Sequence, residues 1–407
     1  MKIRSITYFC NPLWPLDEKR LRQAGTFAAE ARAAFEAAGY EVQSTRLATT
    51  PFPELLEKKD LFKLPELAAE LGRLLPEIGI AHAALGPALP SFPESYALIP
   101  EAIAASKNIF FSGSMAEPQH GISLSAVKAC AGVIVRTAAL EPNGFANLNF
   151  AALANVPPGA PFFPAAYHRD EAPMFALAME AAEEAVRAFT AAPTIEAGRA
   201  FLVKTLEQHA QALTRTADFL KYKYRLHFEG IDYSLAPFPE ELRSLGTAFE
   251  RMGVPAVGRP GSLLAAAVLT EAIERARFPR AGFSGLMLPV LEDTTLARRA
   301  AEGTLTVKDL LLYSAVCGTG LDTVPLPGNV SAAELTPLLL DLAALALRLD
   351  KPLTARLMPI PGKSAGDSTA FQFGYFANSR VMALDAMPLR STLAADQEIH
   401  LLPRRHS

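Results

Sequence analysis

The stretch that decides the fold runs from Phe228 to Gly328. It contains the segments FEGIDYSLAPFPEEL (228–242), GRPGSLLAAAVLTEAI (258–273), FSGLMLPVLEDTTLA (283–297) and CGTGLDTVPLPG (317–328). Strand-like segments here end repeatedly in polar residues just before Gly, Pro or a helix-start signal. In an α/β protein, the loops that follow the carboxyl ends of strands converge on one rim. The pattern therefore predicts one pocket that gathers Asp232, Ser234, Glu292, Asp293, Cys317 and Asp322.

The same alternation of strand and helix patterns extends over the whole chain. An apolar run at 3–9 precedes an amphipathic helix at 17–38, which Asp17 can cap and Gly39 can end. Further strands, mostly apolar on both faces, are predicted at 41–47, 80–85, 108–112, 147–154, 230–235, 285–290, 323–326, 354–360 and 379–384. This order favours an α/β fold, with a mainly parallel sheet or closed barrel covered by helices.

We find no internal repeat and no interdomain linker, so residues 1–407 are predicted to form one domain. The block at about 169–225 is predicted to be a helical hairpin, broken at Ala192–Pro193, which serves as an outer layer or a lid. Its Ala-rich runs fit packed helices, because Ala has the best helix propensity and apolar positions recur at helical spacing.

The composition limits the classes of partner. With 50% hydrophobic and 20% charged residues, the chain has enough apolar surface for a substantial core. Its formal net charge is -3 and its Lys and Arg residues are scattered, so no nucleic-acid partner is expected. No apolar run reaches membrane-spanning length. A small-molecule substrate or ligand is the expected partner, and a homo-oligomer is left open.

The chain has three cysteines, Cys10, Cys130 and Cys317, too few for a disulfide framework. The first twenty residues lack the continuous apolar core of a signal peptide. Both features favour the cytoplasm. Because no nicotinamide, ATP or zinc-protease motif is present, the cofactor stays unknown, with a divalent metal as one alternative.

Several residues are candidates for catalysis or metal binding. His168 closes PFFPAAYHRD after prolines that fix backbone angles, and a positioned imidazole moves protons near neutral pH; its alternative role is a loop histidine bonded to backbone. Asp232 and Ser234 lie two apart, so they share one face of a strand and would orient a substrate, bind a cation or cap the next helix. Glu292 and Asp293 would complete a metal site with Asp232, or stabilise a helix N-terminus.

A second group is predicted to bind substrate. Ser112, Ser114 and His120 precede a helix expected at 121–136, whose free N–H groups would hold an anion. Lys363 and Asp367 follow another strand and would bring a cation and a carboxylate to the same rim. The alternative for these last two residues is a solvated turn.

Several stretches resemble an uncharacterised family, domain-of-unknown-function family 711. They are RLATTPFPE (46–54), FFSGSMAEPQHGISLSAV (110–127), LANVPPGAPFFPAAYH (153–168), GKSAGDSTAFQFGYFANSRVMAL (362–384) and the stretch 228–328. The resemblance implies a barrel similar to that of pyruvate formate-lyase, with helices outside.

The same resemblance raises the question of radical chemistry. Enzymes with that barrel use a cysteine thiyl radical, generated by a glycyl radical near the C-terminus. Cys317 matches the family pattern and sits beside a Gly-rich turn, where it would be a nucleophile or a buried wall residue. The C-terminal segment GYFANSRVMALDAMP lacks the glycyl-radical motif.

We therefore expect a small-molecule enzyme with non-radical lyase or hydrolase chemistry, in which His168, Asp232 and Cys317 are catalytic. A metabolite-binding regulator without catalysis is the alternative from another class, and a glycyl-radical-type enzyme is the third.

Overall fold

The computed structural model describes residues 1–170 and 172–404. Its strands are β1 (Lys2–Phe9), β2 (Val42–Ala48), β3 (His82–Ala88), β4 (Ile109–Glu117), β5 (Gly121–Ser123), β6 (Phe150–Ala154), β7 (Met174–Glu180), β8 (His227–Ala236), β9 (Gly320–Pro327), β10 (Leu353–Ile360) and β11 (Glu398–Ile399). Its helices are α1 (Glu18–Ala37), α2 (Phe52–Asp60), α3 (Leu64–Glu77), α4 (Ser95–Ala105), α5 (Leu124–Ala138), α6 (Ala182–Thr190), α7 (Ile195–Tyr224), α8 (Leu245–Arg251), α9 (Ser262–Arg275), α10 (Thr294–Ala301), α11 (Val307–Tyr313) and α12 (Ala332–Arg348). The α/β class is confirmed. None of the described helices is both long and apolar enough to cross a membrane.

The strands form one large mixed sheet in the order β8-β7-β1-β2-β3-β4-β6-β10-β9, with β5 pairing to β4 and β11. Strands β1, β2, β3, β4 and β6 are parallel to one another. The pairs β7/β8 and β9/β10 run the opposite way, because β7 is antiparallel to β1 and β10 is antiparallel to β6. Some strands therefore have their carboxyl ends at one end of the sheet and the others at the opposite end, so these ends do not meet on one rim.

The assigned strands leave β8 and β9 as the two outer strands of the sheet, so they do not close a barrel. The extended segment 280–291 touches both of these strands. Ala281 N–H donates to the Ile231 carbonyl of β8 (3.1 Å), and Val290 N–H donates to the Asp322 carbonyl of β9 (3.0 Å). Parallel bridges join Ile231 to Arg280 and Pro289 to Asp322. The strand predicted at 285–290 is thus an extended segment with isolated bridges.

Two glycines, Gly285 and Gly318, allow segment 280–291 to lie directly against the backbone just before β9. A Cβ built on Gly318 would lie 2.5 Å from the Cα of Gly285, so the two backbones meet with no room for a side chain. At the predicted Gly-rich turn, residues 317–319 form a bend, and Gly320, the first residue of β9, has φ +95. Gly318, however, is required by a backbone contact rather than by its own φ.

The expected helical block at 169–225 was only partly correct. A strand, β7, occupies Met174–Glu180, and the helical pair begins with α6. The sequence MFALAME is rich in residues that also favour helices, so the pattern alone does not separate the two structures. Pairing with β1 and β8 decides in favour of a strand.

Both faces of the sheet are apolar. The larger core packs the helices against side chains such as Ile6, Leu47 and Leu177. The opposite face is covered by the loop 156–168, whose Phe163 and Ala166 pack against the inward-facing Phe9, Ala48 and Ala84. Residues Phe162 and Ala165 of the same loop pack against Leu153 and Ala236. The PFFP segment therefore fills the concave interior and forms one wall of the site.

Candidate functional site

An interior cavity of about 350 Å³ opens where the amino ends of β3, β4 and β6 meet the carboxyl end of β8. Its polar lining residues are Arg4, Gln43, Ser44, Arg46, His82, Lys107, Asn149, Asp232, Ser234, Glu292 and Arg356. Its apolar lining residues are Ala81, Phe110, Phe145, Leu148, Pro161, Phe162, Phe163, Ala178, Met179, Ala236, Met287, Phe373 and Tyr375. A mostly apolar wall with a few convergent polar groups is typical of a small-molecule site, and this volume is at the small end of the range.

A chain of four alternating charges forms the inner end of the cavity. Arg4 pairs with Glu292, and Arg356 reaches both Glu292 (2.8 Å) and Asp322 (2.5 Å). Burial opposes ionisation of Glu292, but Arg4 and Arg356 outweigh it and hold the pKa of that carboxyl below its ordinary value. The two arginines and two carboxylates balance each other, so this chain is a neutral support.

Arg46 differs from the other two arginines. Its Nε donates to the Ser44 hydroxyl (3.0 Å), and its guanidinium carbon lies 5.0 Å from the ring centre of Phe163. Among the described residues, no carboxylate lies within 4.0 Å of it and its terminal amino groups have no acceptor. Burial, with repulsion from Arg4 and Arg356, lowers the pKa of Arg46 to about 9. The group is therefore protonated at pH 7 and has no direct ion-pair partner in the described residues, although Glu292 attracts it from more than 4.0 Å away.

The two other basic side chains of the cavity, His82 and Lys107, add no positive charge to its interior. His82 is half-buried, and burial together with the charge of Arg46 lowers its pKa to about 4. It is therefore neutral at pH 7. Lys107 is exposed, at the outer end of the cavity.

Asp232 lines the same cavity from β8 and is 2% exposed. Its carboxylate accepts from the Ser234 hydroxyl and from the backbone N–H groups of Phe283 and Ser284 (3.0 Å each). These hydrogen bonds fix the orientation of the carboxylate. No cation lies within 4.0 Å of Asp232 in the described part of the chain. Burial raises its pKa in spite of these hydrogen bonds.

A loop at 369–379, here called the aromatic loop, covers one side of the cavity. Its base is fixed by the Asn378 side chain, which accepts from Phe371 N–H (2.7 Å) and donates to the Phe371 carbonyl (3.2 Å). Phe371 and Phe376 are buried, whereas Phe373 and Tyr375 reach the cavity. Tyr375 is 42% exposed, so the tip of the loop separates the cavity from solvent.

His168 does not line this cavity. Its backbone N–H donates to Thr49 O (2.9 Å), just beyond the carboxyl end of β2, and its ring centre is 6.5 Å from that of Phe9 at the end of β1. Burial lowers the pKa of His168, although Asp170 opposes the shift. His168 lies beyond the carboxyl ends of β1 and β2, whereas the cavity that Asp232 lines lies toward the amino ends of these strands. The structure therefore does not bring His168 and Asp232 to one site.

Cys317 also lies outside the cavity. It is fully buried in the core between sheet and helices, and its backbone carbonyl accepts from Lys351. Burial raises the pKa of the Cys317 thiol despite the nearby Lys351. The alternative of a buried apolar cysteine fits this placement, and neither a nucleophile nor a wall residue of the cavity does. None of the three cysteines lines the cavity in the described residues.

The expected metal site at Asp232, Glu292 and Asp293 is not formed. Across 1–170 and 172–404, no group of three or more His, Cys, Asp or Glu side chains is arranged to hold a metal ion. Asp293 instead accepts from the N–H groups of Thr295 and Leu296 (3.0 Å each) at the start of α10. It also accepts from Leu245 N–H (2.6 Å), so one carboxylate caps both α8 and α10. The helix-start alternative describes Asp293.

The predicted substrate-binding residues other than Ser234 lie away from the cavity. Ser112 and Ser114 are buried near the carboxyl end of β4, where the Ser114 hydroxyl donates to Glu117 (3.1 Å). His120 is exposed in the turn to β5. In the loop after β10, Asp367 accepts from Ser364 N–H (2.7 Å), which fits the solvated-turn alternative for Lys363 and Asp367.

The chain is thus a mixed α/β protein with an interior cavity rich in arginine and aromatic side chains. It belongs to the family described as uncharacterised ACR (DUF711), whose model matches residues 1–378. A UPF0210 protein of Pyrobaculum aerophilum is 31% identical over 87% of this chain and 82% of the relative. UPF0210 proteins of Syntrophobacter fumaroxidans (30% identical, 82% and 77% covered) and Methanopyrus kandleri (27%, 92% and 86%) are also similar. The family resemblance read from the sequence is confirmed.

Proposed function

We propose that this protein binds a small organic anion in the interior cavity, with the anionic group on Arg46. The observation that carries the proposal is the guanidinium of Arg46, which lies on the wall of the cavity with no direct ion-pair partner in the described residues. A charge removed from water is costly unless it is paired. A carboxylate or phosphate group of a ligand would supply the missing partner.

The chemistry of Arg46 supports this recognition mode. A guanidinium presents a rigid fork of donors that matches carboxylate and phosphate in a bidentate way. Here Ser44 and Phe163 hold the side chain through its Nε and its flat face, which leaves the terminal amino groups for the ligand. Phe110, Phe162 and Phe373 offer contacts to an apolar part of the same molecule.

Acid–base catalysis in this cavity is the second candidate, and Asp232 favours it. A buried carboxyl whose pKa is raised by burial is typical of groups that transfer protons. The lyase or hydrolase proposal then rests on Asp232, without His168 or Cys317. The glycyl-radical alternative gains no support, because no cysteine of the described residues faces the cavity. Chemical change of a bound ligand, followed by mass spectrometry, separates an enzyme from a binding regulator.

We also propose that the chain closes into one barrel domain similar to that of pyruvate formate-lyase. The support is that segment 280–291 bonds to both outer strands of the sheet and runs parallel to them. With it, two sets of five strand-like segments would face in opposite directions. The Arg46 cavity would then be the lumen of that barrel.

Calorimetric titration tests the binding proposal. We expect wild-type protein to bind small anions such as 3-phenylpropanoate or inorganic phosphate, and Arg46→Gln to weaken binding by roughly 30-fold or more. Arg73→Gln is the matched control, because Arg73 is exposed on α3 and pairs only with Glu77 in the described chain. Equal affinity in Arg46→Gln and wild type, or no binding of any anion, would contradict the proposal.

A further inference from the structure

The cavity contains a second charged group without a partner. Arg4 and Arg356 are balanced by Glu292 and Asp322, which leaves Arg46, Asp232 and the exposed Lys107 as the cavity charges with no opposite charge within 4.0 Å in the described residues. His82 is neutral at pH 7, and Lys107 is exposed to solvent. One free cation and one free carboxylate therefore face the same enclosed space.

We propose that the ligand is a zwitterion of the amino-acid class, with its carboxylate on Arg46, its ammonium group on Asp232 and an apolar body on the phenylalanine wall. This inference rests on the proposed function and adds the second charge of the ligand. It follows from the two unpartnered groups that line one cavity.

Charge balance distinguishes this ligand from simpler ones. The three arginines of the wall are balanced by Asp232 and Glu292 on the wall and by Asp322, which pairs with Arg356 behind it, so a simple anion would leave one uncompensated negative charge. A simple cation would leave one uncompensated positive charge. A zwitterion keeps the sum at zero and satisfies both free groups, which is the arrangement that buried charges require.

The hydrogen bonds of Asp232 are consistent with an incoming ammonium group. Its Oδ1 accepts from the Ser234 hydroxyl and Ser284 N–H, whereas its Oδ2 accepts from Phe283 N–H alone. These donors hold the carboxylate in one orientation on the cavity wall, where no described cation pairs with it. An ammonium group has three donors and no acceptor, so it matches this carboxylate.

The size and wall of the cavity limit the apolar body. The volume of about 350 Å³ is close to the lower bound for small-molecule sites. Phe110, Phe145, Phe162 and Phe163 surround this space, and flat rings pack well against such walls. The ligand class is thus a small amino acid with an aromatic or branched apolar side chain.

Titration of three matched ligands into wild-type protein at pH 7 tests the inference. Phenylalanine carries both charges, 3-phenylpropanoate lacks the ammonium group and phenylalaninamide lacks the carboxylate. A fourth ligand, 4-amino-3-phenylbutanoate, carries both charges further apart. We expect one of the two zwitterions to bind roughly 30-fold or more tightly than both single-charge analogues.

The variant Asp232→Asn provides a second test of the inference. It should reduce the affinity for the preferred zwitterion to that of 3-phenylpropanoate, while the affinity for 3-phenylpropanoate stays the same or increases. If Asp232→Asn does not fold, the ligand series on wild-type protein decides alone. If 3-phenylpropanoate binds wild type as tightly as both zwitterions, in an Arg46-dependent way, the zwitterion inference is overturned and the anion-binding function stands. If inorganic phosphate binds but no carboxylate does, the zwitterion inference is overturned and the anion-binding function stands; if no anion binds, both fail.

Discussion

Glu292 is the residue on which the polar inner end of the cavity depends. It accepts from both Arg4 and Arg356, and all three side chains are largely removed from solvent. Loss of this carboxylate charge would leave Arg4 without its ion-pair partner in the described residues and Arg356 with Asp322 alone. Its ionisation therefore contributes to the stability of the fold as well as to the site.

We expect Glu292→Gln to lower the free energy of unfolding by about 3 to 5 kcal/mol at pH 7, because removing one member of a buried ion pair leaves uncompensated charge. The pKa of Glu292 is lowered in the folded state, so its contribution is fully present above the unfolded pKa near 4.5 and is lost as the pH falls through the folded value. The difference between wild type and variant should thus narrow below about pH 4.5. Urea unfolding at several pH values measures it.

Glu302→Gln is the matched control, since Glu302 is exposed and pairs with Arg299 (2.6 Å) at the surface. This variant should lose less than about 1 kcal/mol. If Glu292→Gln also loses less than about 1 kcal/mol, the inner network does not stabilise the fold.

The sequence identified Asp232 and Glu292 as site residues, because polar residues at strand ends are informative. It did not identify Arg4, Arg46 and Arg356. Scattered along the chain, these arginines suggested no basic patch, and only the sheet order brings them together. One signal was present: each arginine lies within a predicted strand, where a charged residue is rarely buried without a partner.

Among the secondary-structure elements, the short helices α8 and α10 depend on a single carboxylate. Asp293 accepts from backbone N–H groups of both helices, and the Ser244 hydroxyl donates to it as well (2.5 Å). Because Asp293 is fully buried, water cannot replace these bonds. Asp293 therefore caps the first turn of both helices.

We expect Asp293→Ala to lower the free energy of unfolding by about 2 to 4 kcal/mol, because several buried N–H groups lose their acceptor. Ser331→Ala is the comparison: Ser331 caps α12 alone and is exposed, so its loss should cost about 1 kcal/mol. Thermal and urea unfolding of both variants measure the difference. Equal losses would mean that Asp293 does not join the two helices.

The elements were predicted more reliably than their directions. Strands at 3–9, 41–47 and 354–360 lie within two residues of β1, β2 and β10. An apolar run does not encode which way its strand points, so the reversal between β1 and β7 was not visible. That reversal is what separates His168 from Asp232, and it follows from pairing between residues far apart in the chain.

For the molecule as a whole, segment 280–291 is the link between the two outer strands of the sheet. The N–H groups of Ala281, Met287 and Val290 donate to carbonyls of β8 and β9. We expect these three amides to exchange hydrogen as slowly as interior amides of β8, because they open only when the sheet opens. Hydrogen exchange followed by NMR measures this directly.

Gly318→Ala should accelerate that exchange, since a Cβ at 318 would lie 2.5 Å from Gly285 Cα and push the segment away. Gly132→Ala is the control: it lies inside α5, and a Cβ there meets nothing within 4 Å. It should leave exchange unchanged. Fast exchange of the three amides in wild type would argue against a closed barrel.

Residues from both ends of the chain line the cavity, from Arg4 on the first strand to Tyr375 on the aromatic loop. During synthesis on a ribosome, the first strand emerges about 370 residues before the last wall of the cavity. No nascent fragment can therefore assemble the binding site, and a chain that stops short of the aromatic loop would expose the arginine-rich interior to water. Ligand occupancy would thus report that translation of this polypeptide has passed the aromatic loop.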